Sequence, residues 1–380
     1  MEYNNILIIK MSSLGDVLHT LPFAAALRER YPEAKISWLV HPQFAGFVPD
    51  QPLIDEVIYF DKAAFTKMSW SKRLDFIKSF RKELQAKKFD LVIDLQGLFK
   101  SAVVAFLTGT KDKIGYCEMR EGSGFISKPI CGDHCGDHVI ERYLDVARYL
   151  GARINGVEFP LPDLQEETTN VHKLLASAGI KFVRKQKTLA GKVVVGKNTS
   201  EVSFPVFNTH NSLVPTSYVV MVPGARWETK KWPSEYFAKL ARMFIDDGLY
   251  VVLAGSKDDV RQGEIIKELA NFPKEIIDVI GKTSLRELAA LIKESCFYVS
   301  GDTGPLHIAT ALKKPLVAIY GPTRPERTGP YGNKDAIVLV APAECAGCLK
   351  KQCSNWICMH KVTPEMVYQA YKKKMEVLHV

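Results

Sequence analysis

Residues 300–307, Ser-Gly-Asp-Thr-Gly-Pro-Leu-His, place two glycines, two hydroxyl groups, a carboxylate and an imidazole in one predicted turn between a strand and a helix. The first turn of a helix has unpaired N–H groups and a partial positive charge, so it can hold a phosphate group. The candidate ligand-binding residues of this turn are Asp302, Thr303, Gly304 and His307. An ordinary helix cap, with glycines for a tight turn, explains the same pattern.

A second candidate is Asp16, in the segment Lys10–Thr20 that follows the first predicted strand. The segment lacks the glycines of a dinucleotide fingerprint or a P-loop. Its distinctive feature is a carboxylate at the junction between a loop and a helix. Such a carboxylate can act as a general base toward a hydroxyl group. The competing interpretation is that Asp16 only caps the helix.

Two polar segments follow strands of the second half of the chain. Lys230 lies in the segment 229–233, where a lysine can neutralise a diphosphate as a point charge. Asp259 follows the apolar run 249–255, where a carboxylate can accept hydrogen bonds from ribose hydroxyls. The alternatives are a solvated surface lysine and a helix-capping aspartate.

Four of the eight cysteines form a C-x2-C-x4-C-x4-C pattern near the C-terminus. They are Cys345, Cys348, Cys353 and Cys358. Four thiols in so short a segment can ligate zinc or an iron–sulfur cluster, although the spacing fits no standard structural zinc pattern well. Free or redox-sensitive thiols are the alternative in a reducing compartment. In either case we expect the cluster to stabilise a loop and to take no part in catalysis.

The elements that must position these residues alternate along the chain. Strand-like β-branched runs are separated by helical patterns, which predicts an α/β protein with parallel sheets in two Rossmann-like halves. We predict domains at 1–182 and 217–363, a linker or insertion at 183–216 and a final helix at 364–380. Ligands of such sheets bind beyond the carboxyl ends of the strands, where the candidate residues fall.

Composition narrows the class of partner. The 380 residues are 47% hydrophobic and 24% charged, as in ordinary globular proteins, and the formal net charge of +9 favours anionic partners. The sequence has no arginine-rich arm or zinc-finger spacing that would favour nucleic acid. It contains no predicted secretory signal or membrane span. We therefore expect a cytoplasmic protein that binds no nucleic acid.

Four blocks in order resemble glycosyltransferase family 9, the heptosyltransferases of the lipopolysaccharide inner core, and most closely the heptosyltransferase I type. The blocks are 6–22 (ILIIKMSSLGDVLHTLP), 89–101 (FDLVIDLQGLFKS), 301–307 (GDTGPLH) and 320–323 (YGPT). The resemblance implies the GT-B fold, with an N-terminal acceptor domain and a C-terminal nucleotide-sugar domain. It also implies transfer of heptose from ADP-heptose to the Kdo-lipid A inner core, with inversion and with no required metal or cofactor.

The resemblance also implies roles for single residues. Asp16 matches the family's catalytic base, and Lys230 matches a lysine that contacts the donor phosphates. Asp259 stands where the family has a glutamate near the donor ribose, and residues 302–307 match the donor-binding turn. The implied acceptor-binding residues are Ser13, Gly15 and Arg120.

Some features depart from the family pattern. Ala225 and Arg226 replace hydroxyl residues, and the insertion at 183–216 and the cysteine cluster are additions to the enteric heptosyltransferase I pattern. Another nucleotide sugar, another core position or a non-catalytic nucleotide-binding role in envelope synthesis therefore stay as alternatives. Basic residues such as Lys67 and Lys72 could hold a phosphorylated lipid A-type acceptor at the inner membrane surface, or could form a solvated helix face.

Overall fold

The structure is a computed structural model that describes residues 2–184, 192–195, 198–201 and 213–378. Most of the predicted insertion at 183–216 lies outside the described residues. Within the described ranges, no helix is long and apolar enough to cross a membrane.

The first half of the chain forms a six-stranded parallel sheet. Its strands are β1 (Asn5–Ile9), β2 (Lys35–Val40), β3 (Glu56–Tyr59), β4 (Leu91–Asp94), β5 (Asp112–Tyr116) and β6 (Lys128–Ile130). Its helices are α1 (Leu14–Arg30), α2 (Lys62–Lys67), α3 (Trp70–Ala86), α4 (Phe99–Leu107) and α5 (Val139–Tyr149). The strand order is β3-β2-β1-β4-β5-β6, so the order reverses between β1 and β4. This reversal opens a crevice at the carboxyl ends of the two strands.

A connecting region joins the halves. It contains α6 (Gln165–Ser177) and the short strands β7 (Phe182–Arg184), β8 (Lys192–Val195), β9 (Asn198–Glu201) and β10 (Leu213–Pro215). Strand β7 pairs with β10 and β8 pairs with β9, in both cases antiparallel.

The second half repeats the doubly wound arrangement. Its strands are β11 (Tyr218–Val222), β12 (Tyr250–Leu253), β13 (Ile276–Asp278), β14 (Phe297–Gly301), β15 (Leu316–Tyr320) and β16 (Ala336–Val340). Its helices are α7 (Ser234–Asp246), α8 (Val260–Leu269), α9 (Leu285–Glu294), α10 (Gly304–Ala311), α11 (Pro325–Thr328) and α12 (Pro364–Leu378). The order β13-β12-β11-β14-β15-β16 places the second reversal between β11 and β14.

Strands buried on both faces explain the apolar runs in the sequence. Every residue of β11 and β15 is buried, which matches the continuous Val, Leu and Ile content of parallel strands covered by helices on both sides. Helices α1 and α5 pack together beside the first sheet, and α1 also packs against α10 of the second half. The predicted α/β class with two Rossmann-like sheets is confirmed, whereas the exact domain boundaries stay a prediction.

Candidate active site

Asp16 lies in the first turn of α1, at the crevice of the first sheet. Its Oδ2 accepts hydrogen bonds from the backbone N–H and the hydroxyl group of Ser13, both at 2.8 Å. Its side chain is still 39% exposed, so a ligand can reach the carboxylate. Asp16 therefore caps its helix and presents a free face of the carboxylate to the crevice, so the two interpretations of this residue are compatible.

A buried lysine controls the charge of Asp16. Lys10 Nζ lies 3.6 Å from Asp16 Oδ1, and it donates hydrogen bonds to Leu95 O (2.7 Å) and to the Tyr143 hydroxyl (2.5 Å). Burial opposes ionisation of Asp16, but Lys10 and the Ser13 hydrogen bonds outweigh it and lower the pKa of the carboxyl. Burial also lowers the pKa of Lys10, although Asp16 opposes that shift. Asp16 is thus held as a carboxylate, the form that can accept a proton.

The loop that carries Ser13 is fixed by the end of β4. Gln96 Oε1 accepts hydrogen bonds from Met11 N (3.1 Å) and Ser12 N (3.0 Å). The buried Asp94 carboxylate accepts from Gln96 N and Gly97 N, at 3.0 and 2.9 Å, and from Ser101 Oγ at 2.8 Å. Burial raises the pKa of Asp94 despite these bonds. Asp94, Gln96 and Ser101 thus support the Asp16 loop.

On the second half, Lys230 and Asp302 form an ion pair. Lys230 Nζ lies 2.7 Å from Asp302 Oδ2, and both side chains are mostly buried. The ammonium group also lies 4.5 Å from the centre of the Trp227 ring. A Cβ at Gly301 would lie 2.9 Å from Lys230 O, so glycine is needed for this close approach of two loops. The structure brings the predicted Lys230 and the predicted 302–307 turn together.

The two halves meet at His307. A Cβ at Gly15 would lie 2.4 Å from His307 Cδ2, and one at Gly304 would lie 3.1 Å from Leu14 Cδ2. His307 Nε2 is 3.9 Å from Asp302 Oδ1, and His307 Nδ1 is 3.1 Å from His19 Nε2. Burial lowers the pKa of both imidazoles, so both are neutral at pH 7. The N-termini of α1 and α10 therefore face each other across one cleft.

A cavity of about 370 Å³ opens beside Ser13 in this cleft. Three cationic side chains line it: Lys62, Lys100 and Arg226. Lys100 Nζ donates to Ser12 Oγ at 3.2 Å, and burial together with Lys62 lowers its pKa. The remaining lining residues are Met11, Ser12, Ser13, His41, Gln43, Phe44, Phe60, Ala63 and Thr66. The cavity suits an anionic ligand beside Ser13, whose hydroxyl group donates to Asp16.

Two other predicted residues lie apart from this cavity. Arg120 is exposed in the loop after β5, and its backbone N–H donates to Gly97 O at 2.9 Å. Asp259 Oδ2 accepts from Ser256 N (2.8 Å) and Ser256 Oγ (2.7 Å), so this carboxylate caps the turn before α8. It also borders the loop after β11, because a Cβ at Gly224 would lie 2.2 Å from Asp259 Cγ.

The cysteine segment contacts the loop that carries Lys230. Thr229 Oγ1 donates to Lys350 O at 2.8 Å, and Trp356 Nε1 donates to Thr229 O at 3.0 Å. Cys345, Cys348 and Cys353 are exposed, whereas Cys358 is buried. Across the described ranges, the His, Cys, Asp and Glu side chains form no group of three or more placed to hold a metal ion. The segment supports the Lys230 loop through its backbone carbonyl and its tryptophan.

Sequence reasoning missed Lys10, Gln96 and the His19–His307 contact. Lys10 and His19 lie in the polar segment 10–20, but their partners lie 133 and 288 positions away. The available signal for Lys10 was a lysine directly after an apolar strand, where burial is expected. Lysine is rarely buried without a partner, so such a position indicates a charged or polar partner. No local pattern reveals which residue that partner is.

Two Rossmann-like sheets with their carboxyl ends facing across a cleft define the fold class: the two-domain GT-B fold. The family model of "Glycosyltransferase family 9 (heptosyltransferase)" matches residues 77–357. The chain therefore belongs to glycosyltransferase family 9, and it is a glycosyltransferase.

Relatives of two kinds resemble it to a similar degree. Lipopolysaccharide heptosyltransferase 1 of Escherichia coli K12 is 29% identical over 89% of this chain and 94% of its own length. Lipopolysaccharide heptosyltransferase 2 of the same strain is 27% identical over 88% and 87%. The structure of E. coli heptosyltransferase WaaC with ADP-2-deoxy-2-fluoro heptose is 26% identical, with a TM-score of 0.66, and the match covers 97% of this chain and 99% of WaaC. The resemblance to heptosyltransferases is confirmed.

Proposed function

We propose that this protein transfers heptose from ADP-heptose to the Kdo region of a lipid A-type acceptor, with inversion at the anomeric carbon. The observation that carries the proposal is the position of Asp16. Its carboxylate lies at the N-terminus of α1 beside Gly15, which packs on His307. His307 in turn lies 3.9 Å from Asp302 of the Lys230–Asp302 pair. The WaaC structure contains a fluorinated ADP-heptose, which supports ADP-heptose as the donor here.

In the proposed reaction, Asp16 accepts the proton of an acceptor hydroxyl while that oxygen attacks the anomeric carbon of the donor. The bond between this carbon and the diphosphate oxygen breaks, and ADP leaves with the bonding electron pair. Attack from the face opposite the leaving group inverts the configuration. The low pKa of Asp16 keeps it ionised before the reaction, so it is ready as a base.

The second half stabilises the leaving group. Negative charge develops on the diphosphate, where the Lys230 ammonium and the N–H groups at the start of α10 can receive it. In the structure Lys230 is paired with Asp302, so donor binding must share or replace that partner. We place the diphosphate beside Thr303 and Gly304, the sugar near His307, and the ribose near Asp259.

The cationic cavity is the proposed acceptor site. Lys62, Lys100 and Arg226 give it a positive charge that matches the carboxylates and phosphates of a Kdo-lipid A acceptor. Ser13 and Gly15 border the Asp16 carboxylate, and exposed Arg120 would contact more distant acceptor phosphates. Because the acceptor is anchored in a membrane, the proposed site of action is the cytoplasmic surface of the inner membrane.

A transfer assay tests the proposal. The purified chain is incubated with ADP-heptose and Kdo-lipid A, and the product is followed by mass spectrometry and its anomeric configuration by NMR. We expect one added heptose whose anomeric configuration is opposite to that of the donor, and a loss of about 10²–10⁴-fold in kcat for Asp16→Asn with little change in donor affinity. Full turnover by Asp16→Asn contradicts the role of Asp16 as the base. Transfer only from other nucleotide sugars contradicts ADP-heptose as the donor.

Transfer to a second core position is the alternative. The sequence identities to heptosyltransferases 1 and 2 are similar, 29% and 27%, so the same assay should also test this alternative. An acceptor that already carries one heptose distinguishes the two. Faster transfer to that acceptor than to Kdo-lipid A supports the alternative.

A further inference from the structure

Helices α3 and α4 and the turn Ser123–Phe125 cover one face of the first sheet. Phe80 and Leu84 of α3 and Val104 of α4 are buried in the core beneath them. A Cβ at Gly109, just beyond α4, would lie 3.2 Å from the Gln85 side chain of α3, so the C-terminal ends of the two helices are neighbours. Their other ends therefore point toward the carboxyl edge of the sheet, where the proposed acceptor cavity lies.

The outer side of these elements carries large apolar side chains that are exposed. Trp70 is 76% exposed, Phe99 63%, Phe106 62% and Phe125 94%. Phe99, Val103 and Phe106 recur at the spacing of one helix face, and Trp70 and Leu74 are one turn apart on α3. We call these six residues the aromatic face: Trp70, Leu74, Phe99, Val103, Phe106 and Phe125. Large exposed apolar surfaces on neighbouring elements mark contact sites.

The charge around this face is strongly positive. The segment 62–88 contains nine lysines and arginines and only two acidic residues, a net charge of +7 in a chain of net charge +9. A second exposed apolar group provides a contrast in the other half: Leu269 is 55% exposed and Phe272 64%. The segment 257–275 around it contains four basic and five acidic residues. Of these two groups of described residues, the aromatic face is the one that combines apolar rings with an excess of positive charge.

We propose that the aromatic face docks this protein on the surface of an anionic bilayer. Tryptophan and phenylalanine insert at the boundary between headgroups and acyl chains, and surrounding lysines and arginines are attracted to anionic lipids. The face is also continuous with the proposed acceptor cavity, because Lys100 lines the cavity while Phe99 beside it is exposed. Docking in this orientation brings the cavity to the headgroups. In this inference the identity of the acceptor rests on the proposed function, whereas the contact between the aromatic face and the bilayer does not.

Vesicle sedimentation tests the contact. The full chain is mixed with phosphatidylethanolamine vesicles that contain phosphatidylglycerol, and with neutral phosphatidylcholine vesicles. We expect salt-sensitive binding to the anionic vesicles only. The variant Phe99→Ser/Phe106→Ser should bind at least about tenfold more weakly, as expected for the loss of two inserted rings. Lys72→Glu/Lys78→Glu should also bind more weakly, whereas the matched control Leu269→Ser/Phe272→Ser should bind like the wild type.

The outcomes separate this inference from the proposed function. Thermal melts establish that each variant is folded. With a deacylated, water-soluble acceptor, Phe99→Ser/Phe106→Ser should transfer at the wild-type rate, and with the acceptor embedded in vesicles it should be slower. A wild type that binds vesicles but transfers no heptose contradicts only the proposed function. If Phe99→Ser/Phe106→Ser binds the vesicles as strongly as the wild type does, the proposed docking surface is wrong. It is also wrong if the wild type is an oligomer that Phe99→Ser/Phe106→Ser dissociates, because a second copy would then cover the aromatic face.

Discussion

At the scale of single residues, the most consequential contact is the one between Lys10 and Asp16. Both lie in the segment that follows β1, and the lysine is almost completely buried while the carboxylate is partly exposed. A fixed positive charge 3.6 Å from a carboxylate keeps it ionised. The assignment of Asp16 as a base therefore implies a dependence on Lys10.

Lys10→Met should move the acidic limb of the pH–rate profile. Asp16 must be ionised to act, and Lys10 lowers its pKa, so removing the lysine raises that pKa and activity is lost at a higher pH on the acidic side. The measurement is kcat/KM as a function of pH. Tyr143→Phe is the matched control, because it removes a hydrogen bond of Lys10 and leaves the charge. An acidic limb that shifts equally in both variants contradicts an electrostatic role of Lys10.

Lys230 offers a second test with a neighbour as its control. Lys230 faces Asp302 in the cleft, whereas Lys231 pairs with the exposed Glu228 at 2.6 Å. Lys230→Met should lower kcat by about 10²–10³-fold, because the charge that develops on the diphosphate loses its partner. Lys231→Met should stay close to the wild type. Steady-state kinetics with varied donor give both values, and equal losses in the two variants would contradict the placement of the diphosphate.

At the scale of elements, the proposed reaction requires the starts of α1 and α10 to be close. Gly15 and Gly304 are the residues that permit this, since a side chain at either position would contact the opposite element. The distance between the two helices therefore depends on these glycines.

Gly15→Ala should separate the two elements. The added methyl group would lie 2.4 Å from the His307 ring, a distance that real Cβ contacts do not show, so the imidazole or the helix must move. We expect kcat to fall by more than about tenfold, since small misplacements of reacting groups are costly, while ADP binding is retained. Gly136→Ala is the control, because a Cβ there has no neighbour within 4 Å. Wild-type kcat for Gly15→Ala, measured beside calorimetric ADP binding, would contradict a close contact during catalysis.

The elements were also the part of the molecule that the sequence predicted best. Alternating apolar and helical patterns are local, so β1, α1 and the strand before the 302–307 turn follow from short windows. The polar turns at strand ends predicted Asp16, Lys230 and Asp302 as candidate site residues for the same reason. Contacts between distant segments are a different matter: the Lys10–Tyr143 bond and the His19–His307 pair depend on tertiary packing, which no single window contains.

At the scale of the whole molecule, Arg286 connects the two halves. It lies on α9, yet its guanidinium donates to Gly46 O at 2.9 Å in the first half and to Asp163 O at 2.6 Å in the connecting region. It also pairs with Glu167 of α6, a contact that lowers the pKa of this carboxyl. One side chain thus joins three parts of the chain, beside the packing of α6 on α9 and of α1 on α10.

Arg286→Met should loosen this arrangement without touching the cleft. Loss of the hydrogen bonds should destabilise the protein by about 1–3 kcal/mol, because the two carbonyls and Glu167 lose their partner. The radius of gyration from small-angle scattering should increase, and KM for both substrates should rise more than kcat falls, since part of the binding energy is then needed to close the cleft. Lys293→Met, at an exposed position of the same helix, is the control and should change none of these quantities. If Arg286→Met is destabilised but keeps its scattering profile and its KM values, then helix packing alone fixes the two halves, and the closeness of Asp16 to His307 does not depend on this connection.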